Sequence, residues 1–220
     1  MIDWQSIETV LLDMDGTLLD LHFDSHFWLE HLPLRYAELH QLDAASAKAE
    51  LIPQIMAEKG QLNWYSLDYW SERLGVDIVA LKKEIQHLIG FRADALDFLQ
   101  WLHQAHPRVI LATNADRKSL ALKLALTGLD AYVEQIVSSA DCGIPKEEQG
   151  YWEALQQVVP FDPQTTLLID DNEDVLASAE RYGIRWLITI NQPDSQLPIR
   201  QLTEYPAVTR FAELEPVNRP

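Results

Sequence analysis

The sequence predicts an α/β fold in which a Rossmann-like parallel-sheet core carries an inserted helical cap. Three observations support this prediction. Short runs rich in Val, Ile and Leu alternate with amphipathic segments of helical length. The long stretch from 22 to 89 contains no convincing strand. The length of 220 residues suits one core with a modest insertion.

Five short apolar runs are predicted to be buried parallel strands, because each is followed by polar or turn-forming residues. They lie at 9–12, 108–113, 134–138, 165–169 and 186–190. Helices are predicted between them at 94–105, 116–127, 147–158 and 173–182. In the second of these helices, Leu120, Lys123 and Leu124 share a stripe, and Gly128 gives a C-terminal stop. This alternation requires helices on both faces of the sheet.

The stretch 22–89 is predicted to be a cap of three to five helices inserted after the first strand, so that 1–21 and 90–220 form the core. An insertion at this point lies over the end of the sheet where ligands bind, which suggests a lid. The chain after 192 is expected to contain only short regular structure and to pack on the core or remain partly loose, because prolines recur in it. They are Pro193, Pro198, Pro206, Pro216 and Pro220.

Charge and composition limit the partners. The net charge of −17, spread along the chain, argues against nucleic-acid polymers and anionic membranes, which bind basic surfaces. A small phosphorylated metabolite is still compatible, provided that the site is locally positive. The single Cys142, the absence of a membrane-length apolar run and the lack of a basic signal at the start lead us to expect a cytoplasmic protein. Composition gives no oligomeric state.

The strongest motif is DMDGT, which begins where the first strand ends. Asp13 can act as a nucleophile on phosphorus, and Asp15 can donate and accept the proton. Gly16 allows close backbone approach, and the N–H groups of Gly16 and Thr17 can form an anion nest. The alternative is a simple Asp-Gly turn at the end of a strand.

Two further motifs supply donors and a cation. Thr113 and Asn114 follow the second strand, where a hydroxyl and an amide can donate to phosphate oxygens or can cap the next helix. Lys146 follows Pro145 just before a helix. It can neutralise the nucleophile and the phosphoryl group, or it can be a solvated lysine paired with a neighbouring glutamate.

The last motif is the adjacent pair Asp170 and Asp171, at the end of the fourth strand. Two carboxylates placed together are costly unless a cation joins them, and hard oxygen ligands suit Mg²⁺. The alternative is capping of the helix that begins near Glu173. Taken together, the four motifs supply what phosphoryl transfer needs: a nucleophile, an acid/base, phosphate donors, a cation and a metal site.

The motifs DMDGT, TN, PK and DD resemble those of the haloacid dehalogenase superfamily. The resemblance implies that Asp13 is the nucleophile and Asp15 the acid/base. It also implies that Thr113, Asn114 and Lys146 hold the phosphoryl group. Mg²⁺ would be bound by Asp13, the Asp15 backbone carbonyl and one of the acidic pair, with Asp171 favoured as direct ligand and Asp170 behind it. The family fold is a Rossmann-like core with a helical cap.

Four longer runs, LLDMDGTLLDLHFD, LNWYSLDYWSERLGVDI, GIPKEEQGYW and LLIDDNEDVL, are similar to those of bacterial purine 5′-nucleotidases. This resemblance implies a purine nucleoside monophosphate such as GMP or IMP as substrate, selected by the cap. Cap residues that could stack on or hydrogen-bond to the base, or could instead pack in the cap core, are Phe23, Phe27, Trp28, Asn63, Trp64 and Tyr65.

Three other classes of protein share parts of this pattern. A phosphatase or mutase acting on sugar phosphates would contain every motif. A signalling domain that accepts a phosphoryl group carries its acceptor on a middle strand and has no large cap. A dehalogenase uses the first aspartate but needs neither Asp15 nor Mg²⁺. We therefore expect a phosphomonoester hydrolase.

Overall fold

A computed structural model describes residues 2–105 and 108–214, and in this part of the chain six strands form one parallel sheet. The strands are β1 (Thr9–Leu12), β2 (Val109–Thr113), β3 (Gln135–Ser138), β4 (Thr166–Asp170), β5 (Trp186–Ile190) and β6 (Ala207–Val208). Their order is β3-β2-β1-β4-β5-β6, so β1 lies between β2 and β4. The predicted α/β fold with a parallel sheet is confirmed.

The chain between β1 and β2 first forms a helical insertion. Its elements are α1 (His22–His26), a π-helical turn (Phe27–His31), α2 (Leu32–His40), α3 (Ala44–Ala57), α4 (Leu62–Tyr65), α5 (Leu67–Leu74) and α6 (Ile78–Glu84), followed by a 3₁₀ turn (Gln86–Leu88). The insertion has its own apolar core around Phe27, Leu51 and Trp70. The cap boundaries at 22 and 89 stay a prediction.

The remaining α-helices belong to the sheet layers. They are α7 (Ala95–Ala105), α8 (Arg117–Thr127), α9 (Ser139–Cys142), α10 (Gln149–Val158) and α11 (Glu173–Tyr182). The helix predicted to begin at 116 begins one residue later, because the Asp116 side chain accepts a hydrogen bond from the Lys118 N–H and is therefore the N-cap. Gly128 ends the same helix with φ 65°, as predicted.

Alternating side chains of the strands divide the core into two layers. Val10 and Leu12 of β1 face a cluster that includes Phe98 of α7 and Leu120 of α8. Leu11, on the opposite face, packs in the cluster that contains Trp152 of α10 and residues of α11. The sheet is therefore covered on both sides, and its carboxyl edge is the part left open for a ligand.

The C-terminal segment packs on the sheet edge. β6 pairs with β5, and a 3₁₀ turn (Phe211–Glu213) follows. The predicted tail thus contains short regular structure, although Pro216 and Pro220 lie outside the described residues. Arg92 joins three segments by donating to the carbonyl oxygens of Thr17 at 3.2 Å, Gln192 at 3.2 Å and Thr209 at 2.9 Å. No helix in the described ranges is long and apolar enough to cross a membrane.

Candidate active site

The ends of the three central strands bring the predicted motifs together. Asp13 directly follows β1, Thr113 ends β2 and Asp170 ends β4. Because β2 and β4 flank β1 in a parallel sheet, their carboxyl ends meet at one edge. Asp13, Thr113 and Asp170 are all nearly inaccessible to solvent.

Lys146 joins this edge from the loop before α10. Its Nζ lies 2.5 Å from Asp13 Oδ1 and 2.7 Å from Asp170 Oδ2, and it donates to the Ala112 carbonyl oxygen at 3.0 Å. Burial alone would lower the pKa of this lysine, but the charges of Asp13 and Asp170 outweigh burial and hold its pKa well above the usual value. The alternative interpretation of a solvated lysine is therefore wrong, since only 1% of Lys146 is exposed.

Three carboxylates form a compact acidic cluster. Asp13, Asp170 and Asp171 each offer one oxygen, and these atoms lie within 4.8 Å of one another. Burial raises the pKa of Asp13 to about 6 despite the opposing charge of Lys146. Burial, together with the charges of Asp13 and Asp170, raises the pKa of Asp171 well above its usual value. With all groups ionised, three carboxylates and one lysine leave a formal charge of −2, which suits a hard divalent cation.

The two adjacent acids differ in how they are held. Asp170 uses both oxygens, because Oδ2 contacts Lys146 and Oδ1 accepts from the Asn172 N–H at 2.9 Å. The nearest cation described for the Asp171 carboxylate, apart from the cluster, is Arg200 at 3.8 Å. Asp171 therefore has carboxylate oxygens available for a further ligand, whereas Asp170 is occupied in orienting Lys146.

Gly16 lies directly against Asp171. A Cβ at this position would be 2.6 Å from the Asp171 Cγ, and the φ of Gly16 is +90°, which L side chains rarely adopt. The Gly16 N–H donates to the Leu19 carbonyl oxygen at 2.8 Å. This N–H is therefore already paired and does not form the expected anion nest in the structure. Gly16 instead leaves space for the Asp171 carboxylate.

Thr113 and Asn114 are held by local hydrogen bonds. Thr113 Oγ1 accepts from the Ala115 N–H at 3.0 Å. The Asn114 Oδ1 accepts from the Lys146 N–H at 3.0 Å, and its Nδ2 donates to Glu147 Oε2 at 3.0 Å. The alternative in which they cap α8 is wrong, because Asp116 is the N-cap. The Asn114 side chain instead fixes the loop that carries Lys146.

Glu147 is a site residue that sequence reasoning missed. Besides Asn114, it accepts hydrogen bonds from Asn172 Nδ2 at 3.1 Å and from the Tyr65 hydroxyl of α4 at 2.6 Å. Burial and the Glu147 charge raise the pKa of Tyr65 above its usual value, so the phenol stays a donor. Glu147 therefore connects the helical insertion to the loops at the sheet edge. Glu147 is visible in the run PKEE, but from the sequence alone we considered it only as a possible ion-pair partner of Lys146.

Lys123 is the second missed residue. Its Nζ lies 2.6 Å from Asp15 Oδ1, and only 1% of the residue is exposed. Burial raises the pKa of Asp15 to about 6, although Lys123 opposes this rise. The sequence signal was present, because Lys123 falls on the same stripe of α8 as Leu120, where a charged residue is unusual.

A cavity of about 670 Å³ lies between the insertion and the sheet edge. Asp13, Asp15, Lys146 and Asp171 line its floor, and Trp28, Trp64 and Tyr65 line its roof. Two of the candidate cap residues, Phe23 and Phe27, are buried in the insertion core, and exposed Asn63 does not line the cavity. For Phe23 and Phe27 the structure therefore favours the alternative of packing in the cap core, while substrate contact by the cap residues stays a prediction.

A parallel sheet whose central strand ends hold clustered carboxylates and a buried lysine, beneath a helical cover, defines an α/β enzyme of the phosphotransfer and hydrolase type. A family model described as haloacid dehalogenase-like hydrolase matches residues 7–183. The chain belongs to this haloacid dehalogenase-like hydrolase family. The prediction of a hydrolase enzyme is confirmed, and membership argues against a signalling domain.

Similar proteins and similar solved structures agree with this family assignment. The chain is 39% identical over 215 residues to the GMP/IMP nucleotidase YrfG of Escherichia coli, covering 98% of this chain and 97% of that protein. The Shigella flexneri protein of the same name matches equally. Among solved structures, a HAD phosphatase from Thermococcus onnurineus has a TM-score of 0.75 at 18% identity, covering 94% of this chain and 96% of the other. Bacillus subtilis YfnB, solved with magnesium, has a TM-score of 0.66 at 21% identity, with the same coverages of 94% and 96%.

We predict that Gly16→Ala destabilises the protein more than Gly128→Ala does. Both glycines have positive φ, but a Cβ at Gly128 meets nothing within 4 Å, whereas at Gly16 it overlaps the Asp171 carboxylate. The difference in free energy of unfolding should be about 1–3 kcal/mol, the usual cost of overpacking, measured by urea denaturation. Gly16→Ala should also lose most hydrolase activity. Equal unfolding free energies for the two variants would contradict this account of Gly16.

Proposed function

We propose that the protein is a Mg²⁺-dependent phosphatase that hydrolyses a purine nucleoside 5′-monophosphate through a phospho-aspartate on Asp13. The observation that supports it most is the contact of buried Lys146 with both Asp13 and Asp170 at the floor of the cavity. A lysine in this position holds the nucleophile and can neutralise an incoming phosphoryl group. The partner is a small phosphorylated metabolite rather than a nucleic-acid polymer or a membrane, and the lone Cys142 supports a reducing, cytoplasmic location.

The first half of the proposed reaction transfers the phosphoryl group to the protein. A carboxylate oxygen of Asp13 attacks phosphorus, and a bond from Asp13 to phosphorus forms while the bond from phosphorus to the ester oxygen breaks. Asp15 gives its proton to the departing alkoxide, which leaves as the nucleoside. Burial raises the pKa of Asp15 to about 6, so a minor protonated fraction is present at neutral pH to supply this proton.

The second half restores the enzyme. Asp15, now a carboxylate, takes a proton from a water molecule, and the water oxygen attacks phosphorus. The bond from Asp13 to phosphorus breaks, inorganic phosphate is released and the Asp13 carboxylate is regenerated. Thr113 lines the same cavity as Asp13, and its hydroxyl can donate to the transferring phosphoryl oxygens. Lys146 stays in contact with Asp13 throughout and offsets its charge.

We assign the metal site to Asp13, Asp171 and the Asp15 backbone carbonyl, with Asp170 orienting Lys146 behind them. The −2 charge and the all-oxygen ligand set fit Mg²⁺. When bound, Mg²⁺ supplies positive charge that stabilises the phosphoryl oxygens and lets two anions approach each other.

The purine part of the proposal rests on the relatives and on the roof of the cavity. YrfG, at 39% identity, is named as a GMP/IMP nucleotidase. Trp28 and Trp64 give aromatic faces above the sheet edge, and 670 Å³ falls within the usual range for a small-molecule site. The second candidate, a sugar phosphate as substrate, would use the same floor but would not need aromatic faces. Dehalogenation would leave Lys123-bound Asp15 and the free carboxylate of Asp171 without a role.

The nucleophile is tested by Asp13→Asn, because an amide cannot form the aspartyl phosphate. We expect hydrolysis of p-nitrophenyl phosphate to fall by about a thousandfold or more. Acid-quenched wild-type protein should carry one phosphoryl group on the peptide containing Asp13, detected by mass spectrometry. Asp97→Asn, at an exposed position of α7, is the control and should keep full activity. More than a tenth of wild-type activity in Asp13→Asn would rule out covalent catalysis by this residue.

The metal assignment predicts different Mg²⁺ affinities for two neighbouring variants. Asp171→Asn should weaken Mg²⁺ binding by about tenfold or more. Even residues that only support a metal ligand change the affinity by at least about that factor. Asp170→Asn should weaken it less, because both of its oxygens already accept other hydrogen bonds. Titration calorimetry with Mg²⁺ measures both constants. The reverse order would make Asp170 the direct ligand, and no Mg²⁺ binding by the wild type would remove the metal from the proposal.

Substrate choice is tested by comparing kcat/KM for GMP, IMP, CMP, UMP and glucose 6-phosphate. We expect the two purine nucleotides to be preferred, because stacking on an aromatic side chain contributes about 1–3 kcal/mol. Trp64→Ala should reduce the preference by about tenfold or more. The control is Asn63→Ala, one residue away but outside the cavity lining, which should leave the ranking unchanged. A sugar phosphate as best substrate would contradict the purine assignment but not the phosphatase mechanism.

A further inference from the structure

Two buried lysines and Asp24 lie beside the active site and have no place in the mechanism described so far. Lys123 of α8 contacts Asp15 and also Asp24 of α1, each at 2.6 Å. Lys82 of α6 contacts the same Asp24 at 2.6 Å. The four groups thus form a continuous chain of ion pairs from the acid/base to the last α-helix of the insertion.

Both lysines are almost completely buried, with 1% of each residue exposed. Burying two ammonium groups costs folding free energy unless carboxylates pair with them. Removing one partner of such a pair leaves the other charge buried and uncompensated. The ring of Phe23 lies 4.8 Å from Lys82 Nζ and 5.4 Å from Lys123 Nζ, so an aromatic face adds to their stabilisation. The position of each lysine is therefore tightly determined by its surroundings.

The chain of ion pairs crosses from the insertion to the sheet domain. Asp24 and Lys82 come from the first and last α-helices of the insertion, whereas Lys123 comes from a helix that packs on the sheet. Lys123 holds a carboxylate on each side of this boundary. The orientation of Asp15 is thereby linked to where α1 is docked.

We propose that Lys123 is the positioning residue of the acid/base Asp15, and that Asp24 makes this positioning depend on docking of the insertion over the sheet edge. This inference rests on the proposed phosphatase function. When α1 is docked, Asp24 and Lys123 hold Asp15 toward the cavity that receives the leaving group. When α1 moves away, Lys123 loses one of its two carboxylates and Asp15 loses a fixed partner. Proton donation is then best in the closed enzyme, where bulk water is excluded.

The structure offers a matched control on the same helix. Lys118 of α8 also forms an ion pair across the boundary, with Asp68 of α5, but both side chains are more than half exposed. Lys118 does not contact Asp15, and exposed pairs contribute little to stability. Substituting Lys118 thus removes an ion pair between insertion and sheet domain without touching the acid/base.

The test is the dependence of the first turnover on the leaving group. GMP releases a nucleoside alkoxide that needs a proton, whereas p-nitrophenolate hardly does. Rapid-quench measurement of nucleoside or nitrophenolate release isolates the step in which Asp15 is the acid. For Lys123→Met we expect the rate with GMP to fall by about a hundredfold or more and that with p-nitrophenyl phosphate by less than about tenfold. Lys118→Met should change neither rate.

Two further variants keep the test decisive even if Lys123→Met does not fold. Asp24→Asn keeps Lys123 and should shift the ratio of the two rates in the same direction by a smaller factor. The double variant Asp15→Asn/Lys123→Met should be no slower with GMP than Asp15→Asn alone, because Lys123 acts through Asp15. Circular dichroism and thermal unfolding show which variants are folded. If Lys123→Met does not fold, Asp24→Asn decides.

The outcomes separate this inference from the function on which it rests. Equal losses on both esters in Lys123→Met, or an unchanged ratio in folded Asp24→Asn, would overturn the positioning role while leaving the phosphatase intact. Additive losses in the double variant would also overturn it. Wild-type protein that hydrolyses neither ester would overturn the proposed function and this inference with it.

Discussion

The contact of Lys146 with Asp13 and Asp170 is the interaction on which the rest of the site depends. Three carboxylates at one sheet edge repel one another, and burial makes that repulsion stronger because little solvent screens it. Lys146 offsets part of this charge from within the sheet edge, where only 1% of it is exposed. Asn114 and Glu147 are arranged to hold the loop that brings Lys146 there. The negative charge that remains at the sheet edge is what attracts a cation to the site.

The sequence was sufficient to predict five strands of the sheet and the motifs at its open edge, but not the two-residue strand β6. Asp13, Thr113 and Asp170 lie at or directly after the ends of short apolar strands, so pattern and chemistry occur together within a few positions, whereas Lys146 lies in a loop after α9. The partners of Lys123 could not be found in this way, because Asp24 lies 99 residues away in sequence and the pairing exists only after folding. The neighbouring aromatic residues Phe27 and Trp28 could not be assigned to core or cavity from the sequence, because both suit either place. In the structure Phe27 is buried in the insertion core and Trp28 lines the cavity.

Several polar contacts join the insertion to the sheet domain, beside the apolar Ile89 that packs against both cores. The apolar core of the insertion, around Trp70, is separate from the two clusters that cover the sheet. Tyr65 with Glu147 and Lys123 with Asp24 connect the two parts. Polar contacts can be exchanged for water at smaller cost than an apolar core can be opened, so this arrangement suits a cover that opens for substrate and product. It also means that specificity can change through the insertion without altering the floor.

The three carbonyl contacts of Arg92 have a consequence for any shortened form of the enzyme. This guanidinium holds the loop of the proposed nucleophile through Thr17 and, at the same time, the C-terminal segment through Thr209. β6 and the turn that follows it therefore support the loop of Asp13 and Asp15 from behind, although they are distant in sequence. Proteolytic trimming back to β5 would leave Arg92 partly unpaired and the loop of Asp13 and Asp15 less well supported. The far end of the chain is thus part of the scaffold of the active site.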